Sequence, residues 1–331
     1  MKCAVVGLGL GRHFVAALAG NPQISRMVVC DPDQGRQDSI REEHPGIAQG
    51  YADLDTMLND EQLDLVCLVT PDHLHRPHAE SCFSAGCHIL QTKPLATNLD
   101  DARAIISASK GANRKLMIAH ERRFRPSVLK IKSIVDSGEI GDLIHLRVDA
   151  IQDKREQFVR APWYASAEAG RSAINGTGIH EVDLVRHLAN RAITSVSAFA
   201  NQLGDLDFPK DKTTAAIFQF DNSVVGQVTV TYEGRWPRGA YIDDHLRILG
   251  TEGSIFGNKV FRTGQDDWEP IDTQPGEIVQ GIKSCVDTFV KALANDTPVP
   301  VSGPDAFASL AAAVAADHSA ASGTPQIPES L

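Results

Sequence analysis

The chain has 331 residues, of which 42 % are hydrophobic and 22 % are charged. This length predicts about two domains, and this composition is ordinary for a globular cytoplasmic protein. The formal net charge of −10 argues against a nucleic-acid partner, because proteins that bind nucleic acids need a positive surface. No apolar run reaches the roughly 18 residues that a membrane span needs. The first residues run directly into a strand, so we expect no signal peptide.

Cysteine spacing argues against a zinc centre. None of the six cysteines forms a C-x-x-C pair, which is a spacing typical of zinc ligands. Cys3, Cys30 and Cys67 lie in apolar runs that have the pattern of strands. We therefore expect buried, reduced thiols and no metal.

The N-terminal third of the chain alternates short apolar runs with amphipathic segments. The run Leu63–Val69 is almost continuously hydrophobic, which is typical of parallel strands buried on both faces. This alternation predicts a doubly wound α/β domain with a parallel sheet. Strands are predicted at Lys2–Val6, Met27–Asp31, Leu63–Val69, His88–Thr92 and Leu116–His120, with a weaker one near Ala48–Tyr51. Helices are predicted to begin near Arg12, Asp53, His75 and Asn98.

After Pro126 the runs become longer and alternate between polar and apolar residues, which is typical of antiparallel strands. Such a sheet needs an element to cover its apolar face, and Ile179–Leu188 has apolar residues at helical spacing. Strands are predicted at Leu143–Ile151, Thr194–Gln202, Thr214–Phe220, Val224–Thr231 and His245–Leu249. Further helices are predicted at about Ser127–Ser137, Glu277–Ala294 and Asp305–Ala321.

A glycine-rich turn follows the first predicted strand. Glycines let the backbone approach a pyrophosphate closely, and the next helix presents its free amides to it. The spacing departs from G-x-G-x-x-G, because the third glycine comes one position early. Asp31 ends the second strand and can accept hydrogen bonds from ribose hydroxyls, which favours NAD, while Arg36 leaves NADP open. The candidate cofactor contacts here are Gly7, Gly9, Leu10, Gly11, Arg12 and Asp31.

A second polar segment, Thr70–His78, follows the fourth predicted strand. Ligands of doubly wound sheets bind at the carboxyl ends of such strands. Its three histidines and one aspartate suggest a metal, but their loose spacing favours a cofactor-lining turn that caps a helix. The candidate cofactor contacts in this segment are Thr70, Pro71, His73 and His75.

Lys93 and Pro94, two further candidate cofactor contacts, follow the strand His88–Thr92, so Lys93 faces the same end of the sheet. A partly desolvated lysine beside a nicotinamide can polarise a carbonyl or stabilise an alkoxide. The spacing equally fits a surface lysine before a proline turn.

A glycine-rich stretch then leads into the helix that carries His180 and Asp183. A histidine there can take a hydroxyl proton as hydride leaves, although a packed core histidine fits the pattern as well. Trp163 and Tyr164 precede this stretch and are candidates to stack on a sugar ring. Further candidates for substrate contact are Arg123, Arg155, Arg171, Asn175 and His245.

These motifs, in this order, resemble the Gfo/Idh/MocA oxidoreductases, the family of glucose–fructose oxidoreductase and myo-inositol dehydrogenase. The resemblance covers nearly the whole chain. It extends to four further phrases, at 120–126, 137–141, 249–254 and 300–303. It implies a Rossmann domain at 1–121 and, at 122–331, an α/β domain on a large, mostly antiparallel open sheet. The open face of that sheet commonly forms a dimer or tetramer interface in the family.

The resemblance assigns catalytic roles to Lys93 and His180, with Asp183 beside the histidine. It implies an NAD-dependent (NADP remaining possible) oxidoreductase that transfers hydride from a secondary alcohol of a sugar, sugar derivative or cyclitol. A reductase of a keto-sugar, imine or enone is an alternative, as is a dinucleotide sensor without catalysis. Two departures matter: Thr92 replaces the family's glutamate before the lysine, and Gly176 replaces an aspartate found in inositol-dehydrogenase-like members.

Overall fold

The first sheet of the computed structural model has six parallel strands in the order β3-β2-β1-β4-β5-β6. The structure describes residues 1–235, 246–272 and 276–331. From β1 the chain builds the sheet outward to β3 on one side, and from β4 it builds outward to β6 on the other. This order confirms the doubly wound parallel sheet. The strands are β1 Lys2–Val6, β2 Arg26–Cys30, β3 Ile47–Tyr51, β4 Leu65–Leu68, β5 His88–Thr92 and β6 Leu116–Ala119.

Polar side chains start three of the helices that connect the strands of the first sheet. Asp33, Asp53 and Asn98 each accept a hydrogen bond from a backbone N–H in the first turn, as N-cap residues do. The first helix begins at Leu8 and not near Arg12, because Gly7 alone makes the turn after β1. The helices are α1 Leu8–Ala19, α2 Gln34–Glu43, α3 Leu54–Asp60, α4 His75–Ser84 and α5 Leu99–Gly111.

The second sheet has eight strands in the order β14-β13-β12-β11-β7-β10-β9-β8. Among the described strands of this sheet, only β7 and β10 pair in parallel, which confirms the mostly antiparallel sheet. Its longer strands are β7 Leu143–Ile151, β8 Ile193–Asn201, β9 Thr213–Phe220, β10 Val225–Thr231 and β11 Leu246–Gly250. The short strands that follow were not predicted from the sequence: β12 Gly253–Phe256, β13 Lys259–Arg262 and β14 Glu269–Pro270.

One face of the second sheet is covered and the other is exposed. Helix α9 packs on β7 and β10, which confirms its predicted covering role. On the opposite face, Phe199 and Ile217 are 84 % and 53 % exposed, and each alternates with buried neighbours. The remaining helices are α6 Pro126–Asp136, α7 Arg155–Arg160, α8 Ala173–Gly176, α9 Ile179–Ala189, α10 Glu277–Ala294 and α11 Gly303–Ser322.

The chain divides into two compact units. The first contains Met1–Phe124 and Ile278–Phe307, and the second contains Arg125–Glu277 and Ala308–Leu331. The segment 278–307 thus returns to the first unit, whereas the sequence boundary assigned it to the second domain. Backbone pairing at the edge of β6 explains this return, since the Ile118 N–H donates to the Val301 carbonyl at 2.9 Å.

The cysteines and the longest apolar helices bear on two expectations from the sequence. All six cysteines are buried and free of disulfides, as expected. No helix in the described ranges is both long enough and apolar enough to cross a membrane.

Candidate active site

The glycine turn after β1 has the geometry of a dinucleotide cradle. Gly7 has φ +86°, and a Cβ there would lie 2.4 Å from the Val69 carbonyl oxygen, so no other residue fits without strain. Gly11 lets α1 pack closely on β1, because its Cβ would lie 3.1 Å from Val5. Among the described residues, only Arg36 comes within 4 Å of where a Cβ on Gly9 would stand, at 3.9 Å, so the turn offers open backbone there. These features fit a pyrophosphate at the start of α1.

Asp31 is fixed directly beneath this turn. Its side chain is 3 % exposed and accepts hydrogen bonds from the backbone N–H of Leu8 at 2.7 Å and of Asp33 at 2.9 Å. The Arg36 guanidinium lies 3.6 Å from the Asp31 carboxylate. The end of β2 therefore presents a carboxylate and a guanidinium beside the dinucleotide cradle.

The segment after β4 forms a 3₁₀ turn at Asp72–Leu74 that leads into α4. His75 is fully buried and its ring contacts the carbonyls of Thr70 and Pro94, so it joins two turns. Burial lowers the pKa of His75. The Nδ1 atom of His73 is buried and has no hydrogen-bond partner among the described residues. Within those residues, no three histidine, cysteine or acidic side chains form a cluster suited to a metal.

Lys93 follows β5 at the same end of the parallel sheet and is partly exposed. Thr92, which replaces the family's glutamate, is buried and donates its hydroxyl to the Leu68 carbonyl at 3.2 Å. The peptide bond between Lys93 and Pro94 is cis. Thr92 thus ties the end of β5 to β4 and supplies no carboxylate beside the lysine.

In the second unit, His180 lies in the first turn of α9 and is partly exposed. Asp183 follows one turn later and is 1 % exposed. Its carboxylate accepts a hydrogen bond from the Ser309 hydroxyl at 2.9 Å, and Ser309 accepts one from Arg186 at 2.7 Å. Asp183 is therefore held by a side chain of α11 that sequence spacing could not reveal.

The turn before α9 is a capping box built on Ser172 and Asn175. The Ser172 hydroxyl also donates to Asp317 at 2.7 Å, and the Asn175 amide nitrogen lies 3.4 Å from the same carboxylate. Burial raises the pKa of Asp317 to about 6. Asp317 was not predicted from the sequence, since it lies on α11, far along the chain from its partners.

Arg171 occupies the space that a side chain at position 176 would need. A Cβ on Gly176 would lie 2.5 Å from the Arg171 Nε atom. The guanidinium also lies 4.7 Å from the ring centre of Tyr164 and 5.6 Å from that of Trp163, within cation–π range. The two rings stack on each other at 3.9 Å. The structure thus brings three candidate substrate contacts together around Gly176.

Two other candidate arginines have ion-pair partners. Arg123 is buried in the first unit and contacts Asp305 at 2.8 Å. Arg155 contacts Asp153 at 2.9 Å and Asp205 at 2.6 Å, and it also pairs with Glu233. Arg123 and Arg155 therefore each have a structural ion-pair partner. His245, the remaining candidate, lies outside the described residues.

Two family models match the chain. Residues 1–120 match a model described as "Oxidoreductase family, NAD-binding Rossmann fold", and residues 128–256 match the "GFO/IDH/MocA C-terminal domain". Inositol 2-dehydrogenase 2 of Saccharopolyspora erythraea is 27 % identical and covers 98 % of this chain and 94 % of its own length. The scyllo-inositol 2-dehydrogenase (NAD(+)) of Bacillus subtilis is 29 % identical and covers 77 % of this chain and 73 % of its own length.

Solved structures agree on the fold. A levoglucosan dehydrogenase in complex with NADH and levoglucosan superposes with a TM-score of 0.87 at 24 % identity, covering 99 % of this chain and all of its own. The parallel sheet with its glycine cradle lies within the residues that match the first model, and all strands of the second sheet except β13 and β14 lie within those that match the second. This chain therefore belongs to the Gfo/Idh/MocA family of oxidoreductases and carries that family's NAD-binding Rossmann domain.

Proposed function

We propose that this chain is an NAD-dependent dehydrogenase that oxidises a secondary alcohol of a sugar, sugar derivative or cyclitol. The observation that carries the proposal is the likeness to an inositol 2-dehydrogenase over 98 % of the chain. The scyllo-inositol, levoglucosan and D-apiose dehydrogenases among its relatives also act on polyols or sugars, as their names state.

The cofactor half of the site supports NAD. Gly7 and Gly9 would leave room for the pyrophosphate of the dinucleotide at the start of α1. The Asp31 carboxylate faces the adenine ribose and opposes a 2′-phosphate, while Arg36 moderates that repulsion. Leu10, Arg12, Thr70, Pro71 and His73 are the further cofactor contacts of this proposal. Bound NAD supplies the hydride acceptor.

Lys93 and His180 carry the proton chemistry in this proposal. The Lys93 ammonium stabilises negative charge on the substrate oxygen, and the His180 imidazole takes the hydroxyl proton. Asp183 is buried and held by Ser309, so it fixes the first turns of α9. Removing a positioned acid–base group costs about 10²- to 10⁴-fold in rate.

The surroundings of Gly176 are the proposed substrate platform. Arg171, Trp163 and Tyr164 form a stacked cationic and aromatic layer there, and both ring types pack well on the faces of sugars. Asn175 supports this layer through the capping box. Gly176 has no carboxylate. The substrate therefore binds without the side-chain acid that inositol-dehydrogenase-like members have at this position.

The exposed face of the second sheet is the proposed contact between two or more copies of this chain. Phe199, Ile217 and Ile151 are all at least 45 % exposed on this face. Exposed apolar side chains grouped on one sheet face mark an interaction surface. Light scattering of the purified protein would measure the assembly: a dimer or tetramer is expected, and a monomer would contradict the proposal.

A substrate assay tests the proposed function. The purified protein is mixed with NAD+ or NADP+ and a panel of inositols, aldoses, uronic acids and sugar nucleotides, and absorbance of the reduced nicotinamide is followed. Turnover of at least one polyol with NAD+ is expected. Silence across the panel with measurable cofactor binding would favour a dinucleotide sensor instead.

A further inference from the structure

His75 is a fully buried histidine whose two ring nitrogens both face backbone carbonyls. Its Nδ1 atom lies 2.8 Å from the Pro94 carbonyl oxygen, and its Nε2 atom lies 3.1 Å from that of Thr70. These carbonyls belong to the turns after β5 and β4. Both turns carry candidate cofactor contacts. One imidazole therefore links both turns from within the core.

Gln91, on β5, reinforces the same link. It is fully buried, and its amide nitrogen donates to the Leu95 carbonyl at 2.8 Å and lies 3.3 Å from that of Pro94. The same nitrogen lies 3.1 Å from His75 Nδ1. Two buried polar side chains thus converge on the two peptide carbonyls immediately after Lys93.

These contacts determine where the Lys93 backbone lies. On its amino side, Thr92 is the last residue of β5 and its hydroxyl is bonded to the Leu68 carbonyl. On its carboxyl side, the Pro94 carbonyl is held by His75 and the Leu95 carbonyl by Gln91. The main chain is anchored on both sides of Lys93, so its side chain starts from a fixed point.

Burying a polar side chain costs free energy unless that side chain is hydrogen-bonded. His75 and Gln91 are both buried, so their contacts with the backbone carbonyls offset this cost. The turn after β5 is not part of a sheet ladder, so its carbonyls have no strand partner. A neutral imidazole carries one N–H, and we take that proton to be on Nδ1, because Nδ1 lies closer to the Pro94 carbonyl oxygen than Nε2 lies to that of Thr70. The Pro94 contact is therefore the one expected to matter most.

We propose that His75 and Gln91 are positioning residues that hold Lys93 in its reactive place through the carbonyls of Pro94 and Leu95. His75 acts from beneath the turn, where its side chain is fully buried. This inference rests on the proposed catalytic role of Lys93. It answers how the lysine is oriented where Thr92 takes the place of the glutamate.

Two substitutions separate the two ring contacts. In His75→Asn the side-chain amide nitrogen stands near the Nδ1 position and keeps the Pro94 contact, whereas in His75→Gln it stands near Nε2 and keeps only the Thr70 contact. Small displacements of a catalytic group cost up to about 100-fold in rate. We expect His75→Gln to lower kcat about 10- to 100-fold and His75→Asn to stay within about threefold, with KM and the NAD dissociation constant nearly unchanged in both.

Gln91→Leu provides a second route if a His75 variant does not fold. It removes the donor to Leu95 at similar volume, and we expect it to lower kcat in the same direction. His88→Gln is the matched control, because His88 is a half-buried histidine at the opposite end of β5 that accepts from the Lys115 N–H at 2.9 Å. Its kcat should equal that of the parent protein. Thermal unfolding of every variant reports on folding.

The double variant Lys93→Ala/His75→Gln distinguishes failure of this inference from failure of the proposed function. If His75 acts through Lys93, the second change lowers kcat no further once Lys93 is gone. Equal kcat for His75→Asn and His75→Gln would overturn the inference while leaving the proposed function intact. So would a loss that persists in the Lys93→Ala background or a large loss of NAD affinity. Full turnover by Lys93→Ala alone would instead overturn the proposed function.

If no panel substrate is turned over, reductive methylation supplies a readout without catalysis. Formaldehyde and a hydride donor label lysine amines at rates that follow their exposure and ionisation, and peptide mass spectrometry reads each site. We expect His75→Gln to change the labelling rate of Lys93 while leaving that of exposed lysines such as Lys283 unchanged. An unchanged Lys93 rate would contradict the inference.

Discussion

The guanidinium of Arg171 lies against the backbone of Gly176, with its Nε atom 2.5 Å from where a Cβ would stand. Glycine at position 176 and arginine at position 171 therefore depend on each other. The guanidinium fills the place of a missing side chain and stacks on Tyr164. This relationship gives a physical reason for the glycine at a position where inositol-dehydrogenase-like members have an aspartate.

Gly176→Ala should displace Arg171 from the aromatic pair, because the new methyl group and Nε cannot share the same space. We expect kcat/KM for the polyol to fall at least about fivefold, with NAD affinity unchanged. Steady-state kinetics and calorimetry measure the two effects. Gly111→Ala is the control, since no described residue outside its own stretch of helix lies within 4 Å of where its Cβ would stand. Unchanged kinetics in Gly176→Ala would argue against a substrate role for Arg171.

Gly7→Ala should damage both stability and NAD binding. The backbone there has φ +86°, and the added methyl would lie 2.4 Å from the Val69 carbonyl oxygen. Forcing such a conformation costs about 1–3 kcal/mol, which thermal unfolding will show as a lower midpoint. Calorimetry should show weaker NAD binding. Gly46→Ala, at an exposed position with open space, should leave both unchanged, and equal behaviour of the two variants would contradict the cradle.

Asp31→Asn should weaken the preference for NAD over NADP. The change removes the negative charge that opposes a 2′-phosphate, and it leaves Arg36 beside the same position. We expect the ratio of kcat/KM for NADP+ to that for NAD+ to rise by about tenfold, which corresponds to about 1.4 kcal/mol. Asp33→Asn is the control, since Asp33 also pairs with Arg36 but is half exposed. A ratio that does not change in Asp31→Asn would exclude Asp31 as the selectivity residue.

Asp317 should make stability depend on pH. Burial raises its pKa to about 6 from an ordinary value of 3.8, so the folded state retains a proton that the unfolded state loses. The stability that this proton contributes is present below about pH 4 and is lost as pH rises through about 6. Asp317→Asn removes this titration. The free energy of unfolding of the variant minus that of the parent should therefore be larger at about pH 7.5 than at about pH 4. Urea unfolding at both values measures it, and a pH-independent difference would contradict the assignment.

Hydrophobic periodicity predicted the elements that packing makes obvious. Buried runs such as β4 and the regular apolar spacing of α9 were predicted close to their observed bounds. The strands β12, β13 and β14 were missed, because they are short and, unlike the four buried residues of β4, do not form a continuous apolar run. The return of 278–307 to the first unit was missed for another reason: it depends on backbone pairing at β6, which leaves no side-chain pattern.

The candidate site divides in the same way. Residues within one motif, such as Gly7 and Lys93, were predicted from spacing at strand ends. The residues that hold them were not, because Gln91 reads as an ordinary strand residue and Ser309 and Asp317 lie on the last helix. His75 was predicted to line the cofactor, but the structure places its ring in the core. Contacts made by folding distant segments together leave no local signature in one sequence.

The most direct test of the account is the turnover of Lys93→Ala with NAD+ and the best panel polyol, measured beside NAD binding by calorimetry. We expect kcat to fall about 10²- to 10⁴-fold with the NAD dissociation constant nearly unchanged, as removal of a positioned acid–base group predicts. Full turnover by a folded Lys93→Ala protein would contradict the assignment of this site.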